Sequence, residues 1–445
     1  MNTVLLTVDS LRPDHLEQYG YHRETFPALD TLLADGGDLY TAAYANGTHS
    51  AESIPSFLRS RYQPSLSEEE PSLAGVLSEA GVTTGAIHSN TVYDELVGAA
   101  TADFDDYQFL ADESVSAGEP PLRKRLFRGL VDAVRPTVER LGVREPAERV
   151  QEWLFPSSMI HTVEEYTEAA AVTDAAIDWI EAVEEPFFLW VHYMDPHRPY
   201  GVSPGADSYG APASNGEMID LMSTAGISPE QITDDQRQRM RDWYDTDIRY
   251  TSRHVGRLVS FLDETHPDTG VVFTADHGDE FGEHGAYFHR NRPYDELIRV
   301  PLAARGPTTA DRVVEEQREL VDVAATICRW HGVTPPGAFQ GTPLSEAGER
   351  RVLATGSHLD QTPIQAGRWD GWKYIRAPTS ELYNLETDPR ETDDVATTHE
   401  SVTRRYDREL TRQLEERSVA VTGEDADEAA RDRLEQLGYL DDSVE

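Results

Sequence analysis

The chain has 445 residues, a formal net charge of -42 and one cysteine, Cys328. That much negative charge excludes a general nucleic-acid binder, because nothing in the whole-chain field attracts a phosphate backbone. One cysteine excludes an intramolecular disulfide. Lysine is nearly absent, with only Lys124 and Lys373 beside the arginines, as expected of a surface suited to a saline cytosol where dense counterions screen self-repulsion.

The apolar run Val4–Val8 reads as a strand and ends on Asp9. No basic stretch or cleavage site precedes it, and no run of eighteen apolar residues occurs, so a cytoplasmic protein is expected. Thr25–Asp35 reads as a helix capped by Thr25 with Pro27 in its first turn. Leu39–Tyr44 follows as a strand, Ser72–Glu79 as a helix and Val82–Ile87 as a strand. Residues 104–160 interrupt this pattern and read as an insertion. Within it, Leu122–Arg144 is basic and amphipathic at helical spacing; it either packs on its own domain or touches a membrane surface or an anionic substrate.

A long helix is expected over 162–184, then Phe187–Tyr193, whose nearly all-apolar run suits a central strand. Residues 201–227 read as a loop bordering the site, 228–264 as helix-rich, and Thr269–Ala275 as a strand ending on Asp276-His277-Gly278. Leu320–Trp330 is apolar-periodic and places Cys328 in the core. Short strands then follow at Val352–Thr355, Trp372–Arg376 and Leu382–Leu385, with charged helices at 399–417 and 425–437. The alternation of strand and helix implies an α/β domain over 1–345, its large, mostly parallel or mixed sheet sandwiched by helices. The change of texture implies a small α+β domain over 346–445.

Asp9 and Asp276-His277 both close apolar strands, and strands that deliver oxygen and imidazole groups at one sheet end can build one metal site. The stretch Asp276-His277-Gly278-Asp279-Glu280-Phe281-Gly282-Glu283-His284-Gly285 resembles the metal-binding signature of sulfatases, in the alkaline phosphatase superfamily. Leu6-Thr7-Val8-Asp9-Ser10-Leu11-Arg12-Pro13-Asp14 resembles the start of the same domain, and Phe187–Tyr200 and Glu381–Thr392 resemble later segments. With the acidic composition, the type suggested is haloarchaeal.

The resemblance implies an alkaline phosphatase-like fold and one divalent cation (Ca²⁺, Mn²⁺ or Zn²⁺) held by Asp9, Ser50, Asp276 and His277. Tyr40-Thr41-Ala42-Ala43-Tyr44 before and Phe57-Leu58-Arg59-Ser60-Arg61-Tyr62 after place Ser50, without a gap, at the family's nucleophile position. Ser53, in Ser53-Ile54-Pro55-Ser56, is its competitor. His197 matches the histidine that protonates the leaving oxygen, with Asp195 placed to orient it. His289 is the nearest counterpart of an anion-contacting lysine, Arg290 and Arg292 being its rivals. His192 is read as a strand residue with structural hydrogen bonds, and His284 as a loop hydrogen bonder.

The chain also departs from the family pattern. Glu52 and Ile54 stand where conversion of the nucleophile to formylglycine needs other residues, so Ser50 is expected to stay serine. Ser89 and Thr91 occupy the places of a sulfate-binding Lys and its partner His, and Ser10 replaces a second carboxylate after Asp9. The expected function is metal-dependent cleavage of a sulfate ester by a serine nucleophile. One alternative is a phosphodiesterase, phosphomonoesterase or phosphoryl-headgroup transferase; another is a non-catalytic anion-binding member. The expected partner is a small-molecule, glycan or lipid-headgroup ester, not nucleic acid.

Overall fold

Apolar runs build the centre of the molecule. The computed structural model describes residues 1–62, 71–90, 103–110, 167–203, 209–212, 214–348, 350–356 and 364–417. Strands β1 (Thr3–Val8), β3 (Thr83–His88), β5 (Phe187–Tyr193) and β6 (Gly270–Ala275) lie parallel in the order β6-β1-β5-β3. β1, β5 and β6 are buried at every position, as parallel strands covered on both faces must be. β9 (Arg299–Arg305) joins β6 antiparallel and carries β2 (Asp38–Tyr44), with β10 (Val313–Val314) and β11 (Arg318–Glu319) beyond; β4 (Asp106–Phe109) closes the far edge on β3.

Strand parity separates two helical layers. Phe187 and Trp190 point to opposite faces of β5. Trp190 meets Phe57 of α2 (Ser50–Arg59) at 6.4 Å, and α2 packs with α3 (Leu73–Glu79) and α8 (Asp322–Trp330). Phe187 meets Trp179 of α4 (Ala169–Ala182) at 5.7 Å, and α4 packs on α6 (Asp234–Thr265), which also carries α1 (Ala28–Leu33). Truncating a residue such as Leu6, fully buried in β1, would cost about 2–5 kcal/mol.

A short hairpin, β7 (Glu280–Phe281) and β8 (Tyr287–Phe288), follows β6, and α7 (Asp295–Ile298) leads into β9. Strands β12 (Val352–Gly356), β13 (Ile364–Trp369), β14 (Trp372–Arg376) and β15 (Glu381–Asn384) then form an antiparallel meander. Helix α9 (Glu400–Arg417) packs on it, with Tyr406 stacked on Trp369 at 4.7 Å. The same apolar cluster takes in Tyr62 and Val321, so the small sheet is seated against the large one.

Several expectations need correction. Thr25 does not cap the first helix, which starts at Ala28 after Pro27; the Thr25 hydroxyl instead donates to the His15 carbonyl. Residues 106–109, read as insertion, are the edge strand β4. The 201–227 stretch is not all loop, because α5 (Asn215–Ile227) starts after Ser214, whose side chain accepts the Glu217 N–H. β9 and β13 were not expected: β9 contains Pro301, which cannot donate to a ladder, and β13 carries Gly367 in mid-strand. The rest of the 104–160 insertion beyond 110, with the basic Leu122–Arg144 segment, and the start of the 162–184 helix lie outside the described residues. Thr91 and the 425–437 helix lie there too. Among the described residues, no helix is long and apolar enough to cross a membrane.

Candidate active site

Four adjacent strands bring their carboxyl ends together. Val8 and Ala275 are register partners, so Asp9 and Asp276 lie side by side one residue beyond them. His192 sits opposite both Thr7 and His88 in the register, and Asn90 comes two residues after β3. Asp9, Asn90, His192, Asp276 and His277 are all buried. Ser50 enters from the first position of α2, behind the extended His49.

The Ser50 hydroxyl is the meeting point. Its Oγ lies 2.7 Å from Asp276 Oδ2 and 3.1 Å from Asp9 Oδ2, with His277 Nε2 at 3.4 Å. Asn90 Nδ2 donates to Asp9 Oδ2 at 3.2 Å and to Ser50 Oγ at 3.3 Å. The remaining carboxylate oxygens are occupied: Asp276 Oδ1 accepts the N–H groups of His277 and Ser10, and Asp9 Oδ1 accepts the Ser10 hydroxyl. Ser10 therefore acts as a donor to the carboxylates, in a left-handed conformation at φ 57°.

Hydrogen bonds assign the imidazole tautomers. The Thr7 hydroxyl donates to Val191 O and accepts from Trp190 Nε1, which leaves it one lone pair for an Nδ1–H of His192 at 2.8 Å. The His192 Nε2 lone pair then faces Asp9 Oδ2 at 3.5 Å without a hydrogen bond. His277 Nδ1 likewise donates to Gly278 O at 2.8 Å, turning Nε2 toward Asp276 Oδ2 at 3.6 Å and Asp9 Oδ1 at 3.9 Å. Gly278 has to be glycine, because a Cβ there would run into the Glu296 carbonyl.

Burial, with Asp9 alongside, raises the Asp276 carboxyl above its ordinary range. Burial opposes charge on His277, yet Asp276 and Asp9 hold its pKa above the usual value. Two buried carboxylates faced by the Nε2 atoms of two imidazoles and a hydroxyl fit a divalent cation, which would displace any proton on those nitrogens, and Asp9, His192 and Asp276 offer ligand atoms within 4.8 Å of one another.

A histidine wall lies beside this group. The His289 ring is 4.8 Å from His277, 5.1 Å from His49 and 5.3 Å from His197. Burial, then Arg198 and its neighbouring histidines, push the His289 pKa well below the ordinary value, so it sits there neutral. Its Nδ1 is 3.5 Å from Asp279, which also accepts the Tyr200 hydroxyl.

The sequence-derived set Asp9, Ser50, Asp276 and His277 is thus gathered around one oxygen, with His289 against His277. His197 joins the histidine wall, but Asp195 does not orient it. His197 Nδ1 donates to Arg198 O at 2.7 Å, while Asp195 accepts the Ala169 N–H. Ser53 faces elsewhere, its hydroxyl donating to the Asp276 carbonyl at 2.6 Å. Arg290 reaches the Gly226 carbonyl and Arg292 reaches Glu381. His284 stacks on Tyr294 at 3.6 Å and bonds Glu296. The sequence reading missed His192 and Asn90. A lone imidazole near the end of an otherwise apolar central strand, and an amide just beyond another, were the available signals.

This is the class of site that an α/β sheet of alkaline phosphatase-like fold builds at its carboxyl edge. The sulfatase family model matches residues 1–333, and the chain belongs to the sulfatase family. It is 25% identical over 238 residues to a choline-sulfatase of Rhizobium meliloti, covering 47% of this chain and 46% of that one. A multifunctional alkaline phosphatase superfamily protein of Trinickia caryophylli is 27% identical over 213 residues, 40% of this chain and 41% of its own. The chain spans about half the length of these curated relatives. In fold, it matches the crystal structure of a phosphonate monoester hydrolase of Agrobacterium radiobacter with a TM-score of 0.68 at 19% identity, covering 94% and 96% of the two chains.

Proposed function

We propose that the chain is a metal-dependent hydrolase that cleaves a sulfate ester with Ser50, unmodified, as nucleophile. The observation that carries this reading is the Ser50 hydroxyl, placed at the first turn of α2 between Asp9 and Asp276. Asp9, Asp276, His277 and Ser50, joined by His192, would hold one Ca²⁺, Mn²⁺ or Zn²⁺ ion. Such a cation, when bound, lowers the pKa of a coordinated hydroxyl and offsets charge on the transferred group. The Ser50 hydroxyl passes its proton to the Asp276 carboxylate and attacks sulfur in line, while Asn90 and the N–H groups at the start of α2 face the non-bridging oxygens. The bond from sulfur to the alcohol breaks, protonated His197 Nε2 delivers its proton to the leaving oxygen, and water then opens the serine ester to release the anion and restore the hydroxyl. His289, held neutral, lines the anion side.

Asn90 favours a second reading, a phosphodiester, phosphomonoester or transferable phosphoryl headgroup. Ser89, in the place of the sulfate-binding Lys, directs its hydroxyl to the Thr167 carbonyl at 3.4 Å, and the neutral amide of the next residue reaches Ser50 instead. A serine ester of sulfate also lacks the aldehyde-hydrate route of release, whereas serine phosphoesters are opened directly by water or an alcohol. Turnover of matched aryl sulfate and aryl phosphodiester substrates separates the two. A hundredfold sulfate preference, about 2.7 kcal/mol of discrimination, ends the phosphoryl reading.

Glu52 bonds the Thr48 N–H at the position that formylglycine conversion needs for another residue. Mass spectrometry of the 40–61 peptide should show serine; a mass about two units lower would restore the aldehyde mechanism. The net charge of -42 supports a saline cytoplasm as the working environment. Activity should rise between dilute and molar KCl as self-repulsion is screened, and a maximum at low salt would remove that part of the proposal. The division into a 1–345 catalytic domain and a 346–445 domain belongs to the same proposal. Release of a folded C-terminal piece by limited proteolysis near 345 would support it, and cleavage confined to other segments would count against it.

A further inference from the structure

The far end of α2 borders a cavity of about 200 Å³, lined in part by Tyr62, Glu319, Asp322, Arg350, Arg351 and Arg417. α2 has ten residues, which puts this cavity roughly 15 Å or more from Ser50. The cavity holds two carboxylates and three guanidinium groups, and their hydrogen bonds differ in one respect.

The carboxylates are satisfied from within the fold. Asp322 accepts the N–H groups of Glu319 at 3.2 Å and Thr342 at 2.8 Å. Glu319 accepts from Asn46 Nδ2, Leu353 N and the Tyr62 hydroxyl at 2.8–3.0 Å. The guanidinium groups are satisfied only in part: Arg350 Nη2 donates to the Glu346 carbonyl at 3.4 Å, but two other N–H groups have no acceptor. Arg350 Nε and Arg417 Nη1 are buried without a hydrogen-bond partner, and Arg350 Nε stays 3.6 Å from Asp322 Oδ2. Arg351 pairs with Glu409, and the Arg417 guanidinium lies over the Tyr62 ring at 4.4 Å. Burial beside Asp322 pushes Glu319 up to about 7, so part of the acidic charge facing the arginines is cancelled near neutrality.

Buried N–H donors of a permanent cation without an acceptor are costly and rare. The arginine fork matches the oxygens of a tetrahedral anion. At roughly 30 Å³ per water, the space admits such an anion with a few waters. We propose that this cavity binds a small tetrahedral oxyanion, sulfate or phosphate, through Arg350 and Arg417 with Arg351 at its edge. The site is separate from the Ser50 pocket and does not depend on the hydrolase reading. It lies where Tyr62 follows α2, where Arg350 and Arg351 precede β12, and where Arg417 ends α9. A bound anion would therefore tie the small sheet to the helix that carries Ser50.

Two measurements on the full chain test it. Crystals soaked in millimolar selenate should give an anomalous peak within hydrogen-bonding distance of Arg350 and Arg417. Equilibrium dialysis with labelled sulfate, and separately with labelled inorganic phosphate, should show at least one of the two anions bound about tenfold or more weakly by Arg350→Gln and by Arg417→Gln, with ester turnover retained. Absence of the peak overturns the proposal. So does a peak seen only at molar selenate, which would mark an adventitious ion only. Unchanged binding of both anions by both variants overturns it as well.

Discussion

Two pairs of carboxylates, all buried except the half-buried Asp295, sit close to the same signature segment and are balanced in opposite ways. Asp295 and Glu391 share Lys373, which is fully buried and lies 2.8 and 2.7 Å from them. Asp9 and Asp276 have no lysine or arginine ion pair among the described residues; they face a hydroxyl, an amide and the imidazoles of His192 and His277. The one lysine among the described residues, Lys373, is committed to the supporting cluster. The difference supports the proposal that the first pair is structural and the second is arranged for an exogenous cation.

The largest expected effect is on the second pair. Asp276→Ala removes the acceptor nearest Ser50, and activity should fall on the order of a thousandfold or more with the fold retained. Rates on the best ester substrate and circular dichroism check this; near-normal turnover would break the comparison at its catalytic end.

Lys373→Met reverses the test. It strands Asp295 and Glu391 without their cation and should cost about 3–5 kcal/mol in denaturant unfolding. Metal binding by the protein that remains folded should be unaffected. Burial alone would raise the Asp295 pKa, but Lys373 and then Arg368 hold it below its ordinary range. Its contribution is full above the unfolded carboxyl value of about 3.9 and is lost as pH falls through the lower folded value. The variant should therefore lose that acid limb of the stability profile. An unchanged limb would mean that Lys373 is not what stabilises Asp295.

The smallest of these effects belongs to Asn90. Asn90→Ala should lower kcat by about a hundredfold while leaving metal content intact, because the amide donates to Ser50 and Asp9 without supplying charge. Loss of metal in that variant would make Asn90 a ligand support instead.

The contrast also explains what was legible in the sequence. Asp9, Asp276 and His277 announce themselves because each stands just after an apolar run, and Ser50 because the spacing on both sides agrees. The central strands were readable for the same reason, since burial on both faces leaves long apolar runs. His192 was hidden inside such a run, where an imidazole reads as a core residue until its ring nitrogens are assigned. Asn90 was hidden because what picks it out is its distance from Ser50, which depends on the pairing of β3 with β5. Lys373 and Glu391 come together only when the meander docks beside α7, a long-range contact with no local pattern. β9 and β13 were missed where proline and glycine interrupt otherwise good strands.

The central claim is that Asp9 and Asp276, with His277, hold a divalent cation at Ser50. The most direct test is elemental analysis of the purified wild-type and Asp276→Ala proteins after dialysis in molar salt against Ca²⁺, Mn²⁺ and Zn²⁺ in turn. The account predicts one retained divalent ion per wild-type chain and essentially none in the variant. Equal metal content in both proteins would contradict it.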